Sequence, residues 1–550
     1  MNAADKIVHG TAVFTGNTLE PTAGAIAICG NEIAAIGTLD ELEQLGCIGP
    51  DTELIDCGNR LIMPGLNDSH LHLLMGCVAS DEDLCLNLMA CGNEDACARA
   101  VAAYDAEHPG EGWLFGWGWI CQLWDPDVEP TRASLDALGI DRPIYLAEAG
   151  LHVGWCNTRG LVEIGIDPDG DYSDDPFVTS GPDGKPTGVV SELVGQRGIA
   201  AALQLTREGL GRALGKLIPK LNARGITAVG DMYPLLVECD EPYGGYRDAV
   251  EKADGSLRIT FYPSAEDYDG ARRCAREFRS ERLRFGGVKF VLDGCCEAGT
   301  GFMHEPYRYE GEPDNAQFVG CPQATEEHLD EMVQTADADG HPIRIHAIGD
   351  AAATMALDAM EKAAKLHGKK GLRCCIEHTD SIKIADIDRM ARMGVSAAVQ
   401  PCHSIVGGLL PGGYETIIGP ERTAHMWRYR DELDHGVILG LGTDWPCAAD
   451  VDPFLNIYAA VARSTKDGTP REGLYRENAM TLGEALQAYT RGSAYAEGFE
   501  TRIGTLAPGK LADIAVLDCN PFELDIMELK DMHAAMTIFD GKVVYRVEGL

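Results

Sequence analysis

The chain has 550 residues, of which 45% are hydrophobic and 24% charged, a composition typical of globular proteins. This length exceeds one ordinary domain, although an α/β barrel alone takes roughly 250 residues. The 46 basic and 86 acidic residues give a formal net charge of −40. A surface this negative repels phosphate backbones and anionic lipids. The balance therefore argues against a nucleic-acid partner and against a membrane partner.

The sequence also predicts where the protein works. It shows neither a secretory signal nor an apolar run of about 18 residues that would cross a membrane. The cysteines number 19 and include the adjacent pairs Cys295–Cys296 and Cys374–Cys375. Adjacent cysteines suit disulfides poorly, and a chain of this size does not need them. A cytoplasmic protein with free thiols is therefore predicted.

Both ends of the chain are predicted to be rich in β-strands. Short apolar runs separated by Gly, Asn and Thr occur between residues 6 and 62. The same texture returns at Leu511–Leu517 and in a predicted hairpin around Gly541. Because chain ends often lie close together in space, we expect residues 1–62 and 500–550 to form one composite β-sandwich domain.

The middle of the chain alternates apolar runs with helical stretches such as Asp350–Leu366. The strand candidates are Arg60–Met63, Ile226–Gly230, Leu257–Tyr262, Val288–Leu292, Pro342–His346, Leu372–Glu377, Val395–Gln400 and Val437–Gly440. This alternation predicts an α/β fold, and eight such strands predict a closed (β/α)8 barrel of the TIM type over residues 63–75 and 196–499. The long gap after the first strand predicts an inserted α+β subdomain, residues 76–195, that caps the barrel mouth.

The strongest chemical signal is the segment Asp68-Ser-His-Leu-His72. Alternate side chains of a strand share one face, so His70 and His72 are expected to point the same way. Two imidazoles at that spacing suit one divalent metal ion. A pair of ordinary surface histidines is the alternative, since this short pattern is common.

Further candidate ligands lie at or near the carboxyl ends of other predicted strands: Lys289, His346, His378 and Asp444. Barrel active sites form at that end of the strands. Histidine and aspartate are natural metal ligands, whereas a charged lysine inside an apolar run is costly unless it is paired or modified. Lys289 becomes a ligand only if CO2 adds to its amine as a carbamate. A lysine at the edge of the strand is the alternative.

Five other residues are weaker candidates for substrate contact: Trp119, His152, Glu297, His403 and Arg422. Trp119 and His152 fall in the predicted insertion. Packing in the core of that insertion is the favoured interpretation of Trp119, whereas interdomain packing and substrate contact explain His152 equally well. Glu297 follows the fourth strand and His403 the seventh. Arg422 could bind a substrate carboxylate, although a structural ion pair is the commoner role of a single arginine.

Taken together, these motifs resemble the amidohydrolase superfamily, specifically the YtcJ-like metal-dependent hydrolases also grouped as amidohydrolase family 3. The resemblance covers nearly the whole chain. Its motifs are Pro64-Gly65 through His72, Gly116-Trp-Gly-Trp119, Pro186-Thr-Gly188 with Glu192, Gly225-Ile-Thr227 with Asp231, Lys289 with Asp293-Gly294, His346-Ala-Ile-Gly-Asp350, Glu377-His378, Gln400-Pro-Cys-His403, Gly442-Thr-Asp444 and Gly504-Thr-Leu-Ala-Pro-Gly-Lys-Leu-Ala-Asp513. One departure is the segment 295–300, where the family commonly has serine, glycine, arginine and threonine. It leaves the substrate open.

The resemblance implies two divalent metal ions, taken as zinc from the ligand types, although nitrogen and oxygen ligands also suit manganese, nickel or iron. One ion would bind the first histidine pair and Asp444, and the other would bind His346 and His378. A CO2-derived carbamate on Lys289 and a hydroxide would bridge the two ions.

The implied reaction is hydrolysis of a non-peptide C–N bond, with the amide of an N-acyl or N-formyl amine as the expected substrate. The bridging hydroxide would attack the carbonyl carbon, and Asp444 would take its proton and pass it to the leaving nitrogen. Two alternatives stay open: a mononuclear deaminase of a cyclic amidine, and a non-catalytic barrel that binds a small molecule. The sequence does not give the oligomeric state, but many enzymes are symmetric dimers, so a homodimer is the expectation.

Overall fold

The computed structural model of the protein describes residues 3–151, 153–203, 205–232, 242–296, 299–308, 318–405, 413–447 and 451–550. The strands of the first half are β1 (Lys6–Val13), β2 (Thr22–Cys29), β3 (Glu32–Gly37), β4 (Glu53–Asp56), β5 (Leu61–Pro64), β6 (Leu66–Leu71), β7 (Leu86–Asn87), β8 (Leu114–Trp119), β9 (Ile144–Glu148), β10 (Val153–Cys156), β11 (Val178–Ser180) and β12 (Pro186–Ser191). Those that follow are β13 (Ile226–Met232), β14 (Arg258–Tyr262), β15 (Leu283–Phe285), β16 (Val288–Val291), β17 (Ile343–Ala347), β18 (Cys375–His378), β19 (Ser396–Val399), β20 (Leu439–Leu441), β21 (Ile514–Leu517), β22 (Ala534–Phe539) and β23 (Lys542–Arg546).

The α-helices alternate with these strands through the middle of the chain. They are α1 (Leu39–Gln44), α2 (Leu73–Ala79), α3 (Glu94–Glu107), α4 (Arg132–Asp136), α5 (Thr158–Glu163), α6 (Glu192–Ala202), α7 (Arg207–Asn222), α8 (Pro242–Arg247), α9 (Tyr268–Glu277), α10 (Glu326–Asp339), α11 (Asp350–His367), α12 (Ile384–Met393), α13 (Pro401–His403), α14 (Tyr414–Ile417), α15 (Pro420–Thr423), α16 (Tyr429–Asp434), α17 (Pro453–Ala462), α18 (Leu482–Gln487) and α19 (Ser493–Ala496). A search of the described residues finds no helix with the length and apolar character needed to span a bilayer.

Strands from both ends of the chain pair in one eight-stranded sheet, here called the terminal sheet. Its order is β23-β22-β21-β5-β1-β2-β3, with β4 paired to β1. Strand β5 joins the two ends of the chain, because it runs parallel to β1 on one side and antiparallel to β21 on the other. Apolar side chains from both ends, including Ile26, Ile62 and Ile514, form a shared core on this sheet.

The prediction that Arg60–Met63 is the first strand of the barrel is wrong. Strand β5 occupies this stretch and belongs to the terminal sheet, whereas the next strand, β6, carries the histidine motif. Gly65 separates β5 from β6 at a tight crossing. A Cβ at Gly65 would lie 2.2 Å from Oγ1 of Thr227, so only glycine lets the chain pass from one sheet to the other here.

The parallel strands of the middle of the chain lie in two sheets, β15-β14-β13-β6 and β16-β17-β18-β19-β20. Every neighbouring pair in them is parallel. Helices such as α7 and α11 run between consecutive strands, which is the arrangement that parallel strands require. The predicted α/β class is therefore confirmed. The strand pairing of the described residues records two sheets here and not one closed eight-stranded sheet.

Residues between β6 and β13 build a further mixed sheet of order β11-β12-β10-β9-β8-β7. Its core contains Trp119, Trp124 and Trp155, with the ring centroids of Trp119 and Trp155 6.3 Å apart. Trp119 is 1% exposed and its Nε1 donates to the carbonyl of Leu146. Its proposed contact with substrate is therefore corrected: the side chain packs in the core of this sheet.

Candidate metal centre

The predicted metal ligands are carried by strands of the two parallel sheets or follow them directly. His70 lies on β6 and His72 follows it, Lys289 lies on β16, His346 on β17, His378 on β18, and Asp444 follows β20. The carboxyl ends of parallel strands meet at one edge of a sheet, which brings side chains distant in sequence to one place.

His70, His72 and Asp444 form a first set of donor atoms, all within 4.8 Å of one another. Oδ1 of Asp444 lies 3.2 Å from Nε2 of each histidine. This oxygen is buried and makes no hydrogen bond. In tetrahedral zinc sites the ligand bonds are roughly 2.0–2.2 Å, which sets neighbouring ligand atoms about 3.3 Å apart. The spacing and the orphaned oxygen therefore fit a divalent cation.

Hydrogen bonds from their second ring nitrogens orient both histidines. Nδ1 of His72 donates to the carbonyl oxygen of Met232 at 2.7 Å, which leaves the lone pair of Nε2 facing Asp444. Nδ1 of His70 lies 2.5 Å from Oε2 of Glu377. A carboxylate or carbonyl partner of this kind fixes the tautomer of a ligating histidine and raises its basicity.

Glu377 is held in turn by Arg344, whose Nε donates to its other oxygen. Both side chains are fully buried. Although burial disfavours its charge, Arg344 and Lys289 hold the pKa of Glu377 well below its usual value. The guanidinium of Arg344 also lies over the ring of Tyr262, 4.8 Å from its centroid. The chain Arg344–Glu377–His70 thus keeps a buried carboxylate charged behind the first histidine.

His378, His403 and Asp444 form a second set of donor atoms within 4.8 Å of one another. Nε2 of His403 lies 3.3 Å from Oδ2 of Asp444, the oxygen that the first set does not use. Nδ1 of His378 and Nε2 of His403 are both buried and make no hydrogen bond. The structure therefore brings His403, predicted only as a substrate contact, into a cluster of potential metal ligands.

The backbone at His378 explains how two consecutive side chains reach the same centre. Neighbouring residues of an extended strand point to opposite faces, yet Glu377 contacts His70 and the ring of His378 lies 4.8 Å from the ring of His70. His378 has a φ of +77°, a value uncommon outside glycine that turns the chain at the end of β18. Such strain is typical of functional sites.

His346 and Lys289 lie beside these sets. Nε2 of His346 is 3.1 Å from the carbonyl oxygen of Gly294, and its ring centroid is 4.3 Å from that of His378. Lys289 pairs in register with Arg344 of β17, which precedes His346 by two residues. Lys289 therefore lies two residues further from the carboxyl end of the sheet than His346 does. The side chain is buried, and burial lowers the pKa of Lys289 to about 8.

The remaining weaker candidates have different outcomes. The guanidinium of Arg422 donates to the carbonyl oxygens of Ile418, Glu305 and Pro306. These bonds use Nε and one N–H of each terminal nitrogen and give Arg422 a structural role, while its contact with a substrate carboxylate stays a prediction. His152 and Glu297 lie outside the described residues.

Arg344, Glu377 and Asp293 have supporting roles that were not predicted, although Glu377 and Asp293 belong to the motifs named above. Asp293 accepts hydrogen bonds from the backbone N–H groups of Phe302, Ile348 and Gly349. Burial raises the pKa of Asp293 to about 7. Their charge within or directly after apolar strand segments is the signal that sequence offers, because an unpaired buried charge is costly.

Replacement of Gly442 by alanine is expected to lower metal binding and any activity at least about tenfold, as loss of a ligand's support does. An added Cβ would lie 2.6 Å from the backbone nitrogen of His70 and 2.7 Å from its Cβ, so β6 must move. Gly215→Ala in α7 is the matched control, because its added Cβ meets open space. Metal content per chain measures the effect. Equal metal content in both variants would contradict the expected shift of His70.

Comparisons with known proteins give the family and the fold of the chain. A family model described as "Amidohydrolase family" matches residues 53–545. The putative amidohydrolase YtcJ of Bacillus subtilis (strain 168) is 26% identical over 542 residues, 98% of this chain and 99% of that protein. The N-substituted formamide deformylase of Arthrobacter pascens is 26% identical over 570 residues, 99% of each. An uncharacterized metal-dependent hydrolase from Pyrococcus horikoshii OT3 shares the fold, with a TM-score of 0.75, 24% identity and coverage of 95% of this chain and 99% of that one.

Proposed function

The chain belongs to the amidohydrolase family, and from this premise we propose that it hydrolyses a non-peptide carbon–nitrogen bond, the amide of an N-acyl or N-formyl amine. The family match over residues 53–545 confirms the predicted resemblance and the predicted class of enzyme, an amidohydrolase. The proposed substrate class is inferred from the name of a relative. The N-substituted formamide deformylase of Arthrobacter pascens aligns with nearly the whole of this chain, and its name describes removal of a formyl group from nitrogen.

The single observation that carries the proposal is the first donor set. His70, His72 and Asp444 would hold a divalent cation, taken as zinc from the ligand types. A cation bound there lowers the pKa of water and polarises a substrate carbonyl. Asp444 is the only acid in this set, and it would accept the proton of the attacking water and return it to the leaving nitrogen. The Glu377 carboxylate would hold His70 in place throughout.

The carbamate on Lys289 stays a prediction. The amine must be uncharged before it can react with CO2, and burial of Lys289 favours the uncharged form. His346 lies on the neighbouring strand β17, and His378 lies on the strand after it, β18. A tryptic peptide or intact chain that gains the mass of CO2 at Lys289 when bicarbonate is present would support this modification.

We also propose that eight of the nine strands in the two parallel sheets, all but β15, form one (β/α)8 barrel. At one junction the backbone N–H of Lys289 donates to the carbonyl of Pro263, and Ala265 donates to Lys289. At the other, Asp444 donates to the carbonyl of His70 at 2.8 Å. The barrel over 63–75 and 196–499, the terminal domain over 1–62 and 500–550 and the insertion over 76–195 stay predictions. A cytoplasmic homodimer that acts on a small molecule, without nucleic acid or membrane, also stays a prediction.

The proposed reaction is tested with purified protein and a panel of N-formyl and N-acyl amines. We expect release of the amine that needs a divalent metal, stops when the metal is chelated and returns when zinc is restored. Ammonia release from cyclic amidines with no amide cleavage would favour the deaminase alternative. No turnover on either panel by fully metal-loaded protein would favour the non-catalytic barrel.

A further inference from the structure

An open cleft at the amino ends of the parallel strands collects arginine side chains. Its volume is about 690 Å³, and its walls include Arg272, Arg276, Arg279, Arg284 and Arg373. The described residues that line it also include two acids, Asp339 and Glu497. It is called the arginine cleft below. We propose that the arginine cleft binds a small molecule that carries a phosphate group.

The arginine cleft is separate from the candidate metal centre. Gly286, Pro342 and Arg373 line the cleft and precede the amino ends of β16, β17 and β18. His346 and His378 lie near the carboxyl ends of β17 and β18. The chain advances four residues from Pro342 to His346, about 13 Å at the rise of an extended strand. A ligand of the cleft is therefore distinct from the substrate of the proposed hydrolysis.

The backbone places like charges next to each other on the walls of the cleft. Arg279 and Arg284 are directly opposite each other in an antiparallel bridge, where side chains share one face and Cβ atoms lie about 4.5–5.5 Å apart. Arg272 and Arg276 are four residues apart on α9, a spacing that puts them on one face of the helix. Like charges in either arrangement repel each other. An anion bound between them would remove the repulsion.

Two of these arginines keep guanidinium N–H groups for a ligand. Among the described residues, the side chain of Arg276 has no hydrogen-bond or ion-pair partner. That of Arg279 donates from Nε alone, to the carbonyl oxygen of Ala275 at 2.8 Å. Both residues are exposed. Their terminal nitrogens are therefore accessible to an anion that enters the cleft.

The acids in and beside the cleft do not cancel its charge. Asp339 pairs with Nε of Arg272 at 2.6 Å, and Glu500 pairs with Arg373 at 2.6 Å. Glu497 is 2% exposed, and burial raises the pKa of its carboxyl to about 7, so much of it is uncharged at neutral pH. The other three arginines of the cleft have no carboxylate partner among the residues that the structure describes.

A phosphate group fits this arrangement better than a carboxylate does. The arginines come from α9 and the residues after it, from β15 and from the loop before β18. A phosphate group offers three acceptor oxygens and a charge of about −1.5 to −2, so guanidinium forks from several directions can bind it together. The net charge of −40 does not prevent this, because exposed charges more than about 8 Å away are largely screened at physiological ionic strength.

The test titrates inorganic phosphate into the full chain by isothermal titration calorimetry, with sodium chloride holding the ionic strength constant. We expect Arg276→Gln/Arg279→Gln to bind phosphate at least about tenfold more weakly than the wild type, since each change removes charged donors. Arg273→Gln is the matched control, because Arg273 is also an exposed arginine of α9 but does not line the cleft. It should bind phosphate as the wild type does. Circular dichroism establishes that the variants are folded.

Crystals of the wild type soaked in tungstate, an anomalously scattering analogue of phosphate, locate the anion directly. We expect a peak within reach of the guanidinium groups of Arg276 and Arg279. Equal phosphate binding by the wild type and the double variant would overturn the proposal, as would a tungstate peak at the metal centre with none in the cleft. Citrate that binds in the cleft where phosphate does not would also overturn it, in favour of a polycarboxylate ligand.

Discussion

Replacement of Asp444 by asparagine is expected to lower kcat/KM for amide hydrolysis at least about 10³-fold, because general acid–base catalysis alone contributes roughly 10²–10⁴. The change removes the proton acceptor and weakens a ligand whose two oxygens lie 3.2–3.3 Å from three histidine nitrogens. Metal content should fall as well. Asp434→Asn makes the same chemical change in an exposed ion pair with Arg430 and should leave activity unchanged.

Adding metal back to the variant distinguishes the two roles of Asp444, proton transfer and metal binding. If the residue moves protons, the Asp444→Asn variant stays slow when its metal content has been restored with excess zinc. Recovery of wild-type kcat under those conditions would show that Asp444 acts as a ligand only. The backbone of the variant should hold its position, because the N–H of residue 444 donates to the carbonyl of His70 whatever the side chain.

Replacement of Arg344 by methionine is expected to cost about 3–5 kcal/mol of folding free energy, since it leaves the fully buried Glu377 carboxylate without its main counter-charge. Urea denaturation followed by tryptophan fluorescence measures the change.

Glu377→Gln alone should lower metal affinity about 10–100-fold, because His70 then loses a charged partner. The double variant should recover much of the stability and none of the metal affinity.

Arg258 supplies the matched control for this experiment. It is another buried arginine paired with carboxylates, those of Asp513 and Asp540. Arg258 begins β14, and its ion pairs join β14 to residues beside strands of the terminal sheet. Arg258→Met should also destabilise the protein, yet leave metal affinity unchanged. Equal stability of Arg344→Met and the wild type, or equal metal loss in both arginine variants, would contradict the role given to Glu377.

Much of the fold could be predicted because the signals are local. Alternating apolar runs identified the strands from Ile226 onward except β15, and the helix predicted at Asp350–Leu366 is α11, Asp350–His367. The error at Arg60–Met63 had a physical cause: a fully buried strand has the same apolar run in either sheet, and only the pairing decides which sheet it joins. The bounds of the predicted domains stay predictions.

The candidate site was harder to predict from the sequence than the fold. His70, His72 and Asp444 were identified from strand position, and the structure brings them together. The role of Glu377 could not be predicted from a regular strand, in which the side chains of Glu377 and His378 would point to opposite faces. The positive φ of His378, which brings both side chains to the same centre, has no signature in the sequence. The position of His403 depends on α13, whose first turn follows β19 directly. No periodicity in the sequence encodes that turn.

The pairing of β5 between β1 and β21 has a consequence for synthesis. The ribosome makes chains from the N-terminus, so β5 emerges long before Ile514 of β21, its antiparallel neighbour. Until then β5 presents an open edge, a template for wrong pairing, and Arg258 lacks Asp513 and Asp540. Strand β6, with the first metal ligands, begins two residues after β5. A chain that stops before Ile514 therefore keeps the edge of β5 open beside the first histidine pair.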